Sequence, residues 1–352
     1  MPQISFKLQT RRKTPLLFLS LSFGVILLFL LNLWYGSVLI NWGSVLSALA
    51  GSDSESTNYV IVNYYRLPQA ITALSVGAAL GLSGLFLQTL FNNPLAGPSV
   101  LGISSGASFG VALVVLSSSF AGFDLLLPGL GYSQLIMVAA ALIGAFAVLL
   151  IIIFVSSRIA NIVVVLIIGI MIGYAINAMV GVLQFFSRSI ELQAYVLWGL
   201  GSFSKTTLSQ SFGLFSSVFI LVGISFFYPN SLNIFLLGKN YARSMGVNTK
   251  KLQLGILIIS GFLISIATAF TGPIAFLGLA IPHIARNLFN TSNHRILLPA
   301  VVVLGAFIAL LCNLIAKLPG YDTSLPINAV TSMIGAPIVI WAIVKRAKIK
   351  QG

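Results

Sequence analysis

The chain is poor in the residues that most enzyme chemistry requires. Its 352 residues include five acidic side chains, two histidines and one cysteine. That supply is too thin for paired-carboxylate acid–base work or an all-protein metal cage. Cys312 stands alone, which excludes an intrachain disulfide and any CxxC or Cys/His zinc spacing. Charged residues make up 7% of the chain, against roughly 25% in soluble domains. What is abundant is apolar: 58% of the residues, with a mean hydropathy of +1.05. At ~150 residues per domain the length would fit two soluble domains, but this composition excludes them. A spanning helix needs about 20 apolar residues, so there is ample room for ten. The fold class expected is an all-α polytopic membrane protein.

Two further absences narrow how such a protein could work. A nucleotide-binding loop reads GxxxxGK[ST], because glycine amides cradle the phosphates and the lysine reaches the outer ones. The one Gly-Lys pair, Gly238-Lys239, is followed by Asn240 and has no glycine five residues earlier. Buried ionisable residues mark ion-coupled carriers, yet the second to seventh apolar runs carry none near their centres. Uphill transport would then draw its energy from a partner. No cofactor or metal is expected on the chain. His283 reads either as an interfacial residue or as a ligand, and nothing assembles an active site.

Apolar runs between polar or Gly/Pro breaks give ten expected spans: 15–36, 68–91, 99–118, 134–155, 162–187, 211–229, 252–271, 273–289, 296–317 and 325–344. The eighth is short and interrupted by Gly272, Pro273, Gly278 and Pro282, which reads as broken or re-entrant. The first, preceded by Lys7, Arg11, Arg12 and Lys13, is too long for a signal-peptide core and reads as a retained helix. With both termini cytoplasmic, the inner side collects those four cations, Arg158, Lys239, Arg243, Lys250, Lys251, Arg286, Arg295, Lys345, Arg346, Lys348 and Lys350, which is 15 of the 19 basic residues. The outer side holds Arg66, Arg188, Lys205 and Lys317 together with all five acids, Asp53, Glu55, Asp124, Glu191 and Asp322. The positive-inside bias selects this orientation. One transmembrane domain over 1–352 is expected, with tails at 1–14 and 345–352 around a bundle at 15–344. The net charge of +14 is juxtamembrane, facing lipid headgroups; it forms no groove with interleaved aromatics, so nucleic acid is excluded as a partner.

Within the membrane, small residues recur four apart: Gly77 and Gly81, Gly102, Gly106 and Gly110, Gly169 and Gly173. Such spacing lets helix backbones approach closely in lipid. Ser104, Ser105 and Ser108 make the third span polar on more than one face, as a helix buried in protein would be. Ser104, Ser105, Asn177 and Gln184 read equally as pathway residues or as interhelical hydrogen-bond partners. Trp34, Trp42 and Trp198 fall near the outer interface and Trp341 near the inner one. The outer segment 190–200 reads as an amphipathic helix lying along the surface. The inner stretch from Leu236 to Asn248, LLGKNYARSMGVN, reads as two short helices broken at Gly238 and Gly246, longer than a plain connection needs.

Four strings in order resemble one family, the membrane permeases of ABC importers for iron-siderophores, haem and cobalamin (the FecCD type). Tyr65 to Gly110, YRLPQAITALSVGAALGLSGLFLQTLFNNPLAGPSVLGISSGASFG, is similar to the family's RLPR and NPLAxPxxLGxxxGA signature. LLGKNYARSMGV resembles its LGxxxAxxLGV cytoplasmic loop. TGPIAFLGLAIPHIAR resembles its GPIxFxGLxxPHxxR segment, and LPINAVTSMIGAPIVIWAI its closing LPxGxxTxxxGxPxFxxL. The resemblance runs from about residue 60 to the C-terminus.

It implies a type II ABC importer permease architecture with ten spans, sited in the bacterial cytoplasmic membrane. The partners it implies are a second permease subunit, identical or related, two ABC ATPase subunits that carry ATP and magnesium, and an external solute-binding protein. Residues Leu237, Gly238, Lys239, Ala242, Arg243, Gly246 and Val247 would form the ATPase-coupling loop. Family members commonly carry an acid just after the Leu-Gly, where this chain has Lys239 and Asn240, so the ATPase surface it meets should be less basic. Arg66 and Lys317 match positions where cations meet carboxylates of the binding protein; for Arg66 the alternative is a membrane-interface anchor. Gln69 stands where the signature has its second arginine. The segment Trp198-Gly199-Leu200-Gly201-Ser202 resembles an element of siderophore permeases, which tilts the expected cargo to an iron-siderophore complex and puts Trp198 among the pathway candidates. Haem and cobalamin are the alternatives within the class, and an ion-coupled carrier or intramembrane enzyme the alternative outside it.

Overall fold

The computed structural model describes residues 3–52, 55–117, 132–159, 161–317 and 324–351, with side chains over 14–340 apart from 132–133. Asp53, Asp124, Asp322 and the side chain of Trp341 lie outside what is described. Every regular element among the described residues is helical. Helix α1 runs Gln3–Trp34, α2 Trp42–Ala50 and α3 Thr57–Val60, which continues through a π-helical stretch, Ile61–Arg66, into α4, Leu67–Leu90. Pro68 accounts for the π stretch: it has no amide to offer the carbonyl four residues back, and its ring crowds that carbonyl. A 3₁₀ turn, Pro98–Leu101, leads to α5, Ile103–Val115; α6 is Tyr132–Arg158, α7 Ile162–Phe186, α8 Ser189–Gly199 and α9 Leu208–Ser225. The short α10, Pro229–Phe235, and α11, Lys239–Ser244, precede α12, Thr249–Thr271; α13 is Leu277–Phe289, α14 His294–Ala316 and α15 Ile327–Gln351.

Seven of these stretches are long and apolar enough to cross a membrane, with α5 and Ile327–Ile340 as shorter apolar helices. The third and eighth expected spans are therefore shorter as helices than the apolar runs suggested. Thirteen residues, the length of both α5 and α13, extend only about 20 Å. The rest of each run is used differently. Pro98–Leu101 is a 3₁₀ turn, and 272–275 is non-helical backbone.

Burial separates the core from the sheath. The most apolar window of Thr57–Leu90 is 94% buried, whereas those of α1, α7 and α9 are 17%, 22% and 22% buried. Those outer windows leave side chains such as Leu19, Phe185 and Phe219 exposed, suited to lipid or a second subunit. The central position of α4 follows from its glycines. A Cβ on Gly77 would lie 2.2 Å from Gly305 O of α14, and one on Gly84 would lie 1.8 Å from Gly278 O of α13. Likewise Gly106 and Gly144 let α5 and α6 touch, and Gly102 meets Gly169 O of α7. The small-residue stripes expected from the sequence are backbone contact lines, the close approach that lipid-embedded helices favour.

Candidate functional site

The break before α13 comes first, because it fixes the outer end of the bundle. Segment 272–276 is held by one side chain of α15: Asn328 Nδ2 donates to Pro273 O (2.7 Å) and Gly199 O (3.1 Å), and its Oδ1 accepts from Ala275 N (2.9 Å). Irregular backbone at membrane depth needs such partners. Asn328 was missed in the sequence; the pattern LPxGxxT has glycine at its position, so the substituted residue was itself the available signal. Trp198 buttresses the same place. It is 5% exposed, stacks on Tyr195 with centroids 6.4 Å apart, and its carbonyl lies where a Cβ of Gly272 would be 2.4 Å away. Trp198 is thus a buried prop within this chain, not an interface anchor. Its helix α8 forms as expected, but its exposed side is apolar (Ile190, Val196, Leu197) and its buried residues are Glu191 and Trp198. The helix is thus apolar on both sides, with Ala194, Tyr195 and Trp198 turned to the core and a Tyr195–Ser108 hydrogen bond tying it to α5.

The outer cations are not where docking requires them. Arg66 is 5% exposed and Lys317 8% exposed. Arg66 Nη1 donates to Leu33 O (2.9 Å) and Trp34 O, and Nη2 to Val38 O. Lys317 Nζ donates to Asn32 O (2.7 Å) and Tyr35 O (3.4 Å). These carbonyls end α1, which has no intrahelical donors left for them. Cations at a helix C-terminus are also favoured by the macrodipole. Gly36 leaves room for the guanidinium, since a Cβ there would sit 3.0 Å from Nη2. Asn32 and Asn313 complete the joint: Asn313 Nδ2 donates to Asn32 Oδ1 (2.7 Å), and Asn32 Nδ2 donates to Leu310 O (3.0 Å). In this structure the two expected docking residues are therefore the cap that fastens α1 to α4 and α14. Arg188, its side chain 62% exposed, and Lys205 are the outer cations that remain at the surface among the described residues.

At the inner end the loop after α9 folds as two helices, with Gly238 at φ +111° and Gly246 at φ +81° as the breaks, conformations that L side chains rarely adopt. Ala242 is fully buried under the hairpin and its carbonyl accepts from Val247 N (3.0 Å). Arg243 Nε donates to Thr249 Oγ1 (3.3 Å). Lys239 is depressed below the usual lysine range by burial, then by Arg243 and Lys250. Leu237, Tyr241 and Met245, four residues apart, are 66%, 50% and 57% exposed. Tyr241 and Met245 follow one turn of α11 while Leu237 lies across the Gly238 break, and exposed apolar side chains grouped on such a cationic loop are of the kind that mark partner surfaces. Tyr241 and Met245 were missed in the sequence, although their spacing carried the signal. A cavity of about 370 Å³ lies beside the hairpin, lined by residues including Tyr228, Met245, Val247 and Lys251.

The remaining expected pathway residues lie on two packed helices, Ser104 and Ser105 on α5, Asn177 and Gln184 on α7. Ser104 Oγ lies 3.4 Å from Thr268 Oγ1, joining α5 to α12. Ser105 and Gln184 are partly buried, Ser105 Oγ facing α7 at Gly173, and Asn177 is exposed one turn further along α7. Among the described residues no three His, Cys, Asp or Glu side chains come together to hold a metal.

A family model described as the FecCD transport family matches residues 24–345. The chain belongs to the FecCD transport family. Vitamin B12 import system permease proteins BtuC from Salmonella typhi and Salmonella paratyphi A are each 33% identical to it, covering 98% of this chain and 100% of theirs. A solved structure described as an inward-facing conformation of a metal-chelate type ABC transporter superposes with a TM-score of 0.78 at 27% identity, over 94% of this chain and 99% of that one. The fold is also that of PsaBC from Streptococcus pneumoniae solved with a Fab, with a TM-score of 0.54 at 16% identity over 85% and 95% of the two chains. This FecCD chain is accordingly a multi-pass permease of the ABC importer class, a transport component with α4 at its core.

Proposed function

We propose that this FecCD-family permease pairs with a second permease subunit in a bacterial cytoplasmic membrane and imports cobalamin, driven by two ATPase subunits docked on the α10–α11 hairpin. The observation that carries the mechanism is the exposed Leu237, Tyr241 and Met245 stripe among Lys239, Arg243, Lys250 and Lys251. Energy enters through that contact, because the chain has no phosphate-binding loop of its own. The cations call for an acidic rim on the ATPase. Asn177, a polar group on the exposed apolar face of α7, calls for a partner in the membrane, which a second permease subunit supplies. Outside, a solute-binding protein would meet Arg188 and Lys205, since Arg66 and Lys317 are committed to α1.

Cobalamin takes precedence over an iron-siderophore because full-length relatives named as vitamin B12 permeases support it. The Trp198 element that favoured siderophores places its ring in the core of this chain, which weakens the support it lends to that cargo. Fold alone does not choose a cargo. The deciding measurement is uptake into proteoliposomes holding the assembled importer and its binding protein. ATP-dependent uptake of labelled cyanocobalamin is expected. Uptake of a ferric siderophore with no cyanocobalamin uptake would reverse the cargo, and uptake without ATPase subunits would make the chain a secondary carrier.

A further inference from the structure

Between the hairpin and the inner end of α4 runs a chain of hydrogen bonds through residues to which no role has been given above. Asn233 lies in α10, the first arm of the hairpin. Its Oδ1 accepts from the backbone N–H of His294 (2.8 Å) and lies 3.0 Å from His294 Nδ1, while its Nδ2 donates to Asn293 Oδ1 (2.8 Å). Arg295 Nε adds a bond to Asn230 Oδ1 (2.8 Å). Helix α10 is thereby clamped to the N-terminus of α14. The ring of His294 is 1% exposed, and its other nitrogen, Nε2, lies 2.8 Å from Thr89 Oγ1 on the last turn of α4. In the neutral ring with Nδ1–H donating to Asn233, the single Thr89 hydroxyl proton has two acceptors in reach, His294 Nε2 (2.8 Å) and Leu85 O (2.9 Å), so the α4 end of the joint is shared between the histidine and α4's own backbone. Next to Thr89, Gln88 Oε1 accepts from Arg286 Nη1 of α13 (2.6 Å) and Gln88 Nε2 donates to Leu279 O (3.2 Å). His283 Nε2, also on α13, lies 3.0 Å from Pro94 O in the loop that follows α4.

We propose that His294 is a positioning residue for energy coupling: the Asn233–His294–Thr89 joint transmits displacement of the ATPase-docked hairpin to the inner end of α4 and the 91–97 loop. This rests on the ATPase-driven reading above. The geometry favours it over simple packing for two reasons. First, α10 is only seven residues long, too short to be stable by itself, so its place is set by the buried Leu232 and Phe235 together with the directional side-chain bonds of Asn230 and Asn233 to the start of α14. Second, the α4 turn that His294 meets belongs to the most buried helix of the bundle. Packed cores respond to a push by shifting between discrete arrangements, not by yielding smoothly. A two-sided polar joint at that point moves hairpin and core together.

The test uses the full importer with its ATPase subunits, in a Cys312→Ser background, and needs no knowledge of the cargo. Single cysteines at Ser244 on the hairpin and at Leu95 in the loop after α4, both exposed, are alkylated with a maleimide with and without ATP. In the parent, ATP should change the alkylation rate at both sites. With Thr89→Val, or with His294→Asn, which keeps the bond toward Asn233 but not the one toward Thr89, the response at 244 should persist and the response at 95 should fall about 5-fold or more. ATP hydrolysis should continue in these variants. Thr89→Ser should restore the response at 95, which excludes misfolding as its cause. An undiminished ATP response at 95 in both Thr89→Val and His294→Asn overturns the joint while leaving the importer reading intact. No response at 244 in the parent removes the ATPase-driven reading, and the joint with it.

Discussion

At the outer end of α4 the cations are folded inward onto backbone carbonyls, whereas on the inner face they are turned out to water around an apolar stripe. Arg66 and Lys317 are buried with five carbonyls between them. Lys239, Arg243, Lys250 and Lys251 stand on a loop whose apolar residues are themselves exposed. The same residue types therefore do opposite work. Among the described residues the single salt bridge is Arg188–Glu191, so the buried outer cations are met by dipoles and not by acids. A buried charge without such partners costs several kcal/mol, which ties Arg66 and Lys317 to the fold. The inner cations are less deeply buried and add to the positive field that steers a partner.

The comparison breaks most decisively if the outer cations are tested for stability. Arg66→Ala strands the carbonyls of Leu33, Trp34 and Val38, and should lower stability by about 2 kcal/mol or more. Thermal unfolding in detergent, followed by size-exclusion chromatography, should show an earlier transition, and Arg66→Lys should recover only part because it lacks the planar fork. A variant that melts like the parent but loses binding-protein affinity would return Arg66 to the docking surface. A change of comparable size is expected midway along α4. Gly84→Ala puts a methyl carbon where Gly278 O now lies, and such overpacking typically costs about 1–3 kcal/mol. If Gly84→Ala left the melting transition in place, α4 and α13 would not be in backbone contact.

How much of this was legible beforehand differs between the two ends for a physical reason. Hydropathy and charge placement identified the apolar runs, and glycine spacing marked the lines along which α4 meets α13 and α14, because both are properties of local sequence. The hairpin breaks at Gly238 and Gly246 were legible for the same reason. The fate of Arg66 was not: whether an interfacial arginine faces a partner or its own chain depends on where α1, more than thirty residues earlier, comes to an end. Asn328 and the Asn233–His294–Thr89 joint were hidden likewise, since each links segments between about 50 and 205 residues apart. The lengths of the third and eighth spans were overread because apolar runs count residues that the fold uses in a 3₁₀ turn and an extended crossover.

On the inner face the expected effects fall on association, through local disruption of the hairpin for Ala242→Glu and through lost contact for Tyr241→Ser. Ala242→Glu forces a carboxylate into a fully buried site and should abolish co-purification of the ATPase subunits. Tyr241→Ser removes an exposed apolar contact and should weaken association about 10-fold, the effect of losing an aromatic anchor worth over 1 kcal/mol. Both are read by pull-down and by ATPase titration against the permease. Normal association of Tyr241→Ser would shift the docking surface off the stripe. Outside, Lys205→Glu should slow binding-protein association and flatten its dependence on salt while the melting transition stays put; Arg188 is left in place because it partners the buried Glu191.

The smallest expected effect is a pH dependence at the hairpin. Lys239 is held below the usual lysine range by burial and then by Arg243 and Lys250, so it loses its proton at a lower pH than an ordinary lysine. For the permease by itself the unfolded chain binds more protons over that interval, and this group's contribution makes the fold slightly more stable as pH rises. Association with an acidic ATPase rim has the opposite sign, because it needs the ammonium. Raising pH through the depressed range should therefore weaken association by no more than a few-fold, the scale of an exposed ion pair. Lys239→Arg keeps its charge at every such pH and should remove that part of the dependence. Lys250→Ala takes away one of the repelling charges and should move the weakening to higher pH. If Lys239→Arg and the parent lose affinity in parallel, the titrating group lies on the ATPase, and the cation at 239 serves only as part of the general positive field of the loop.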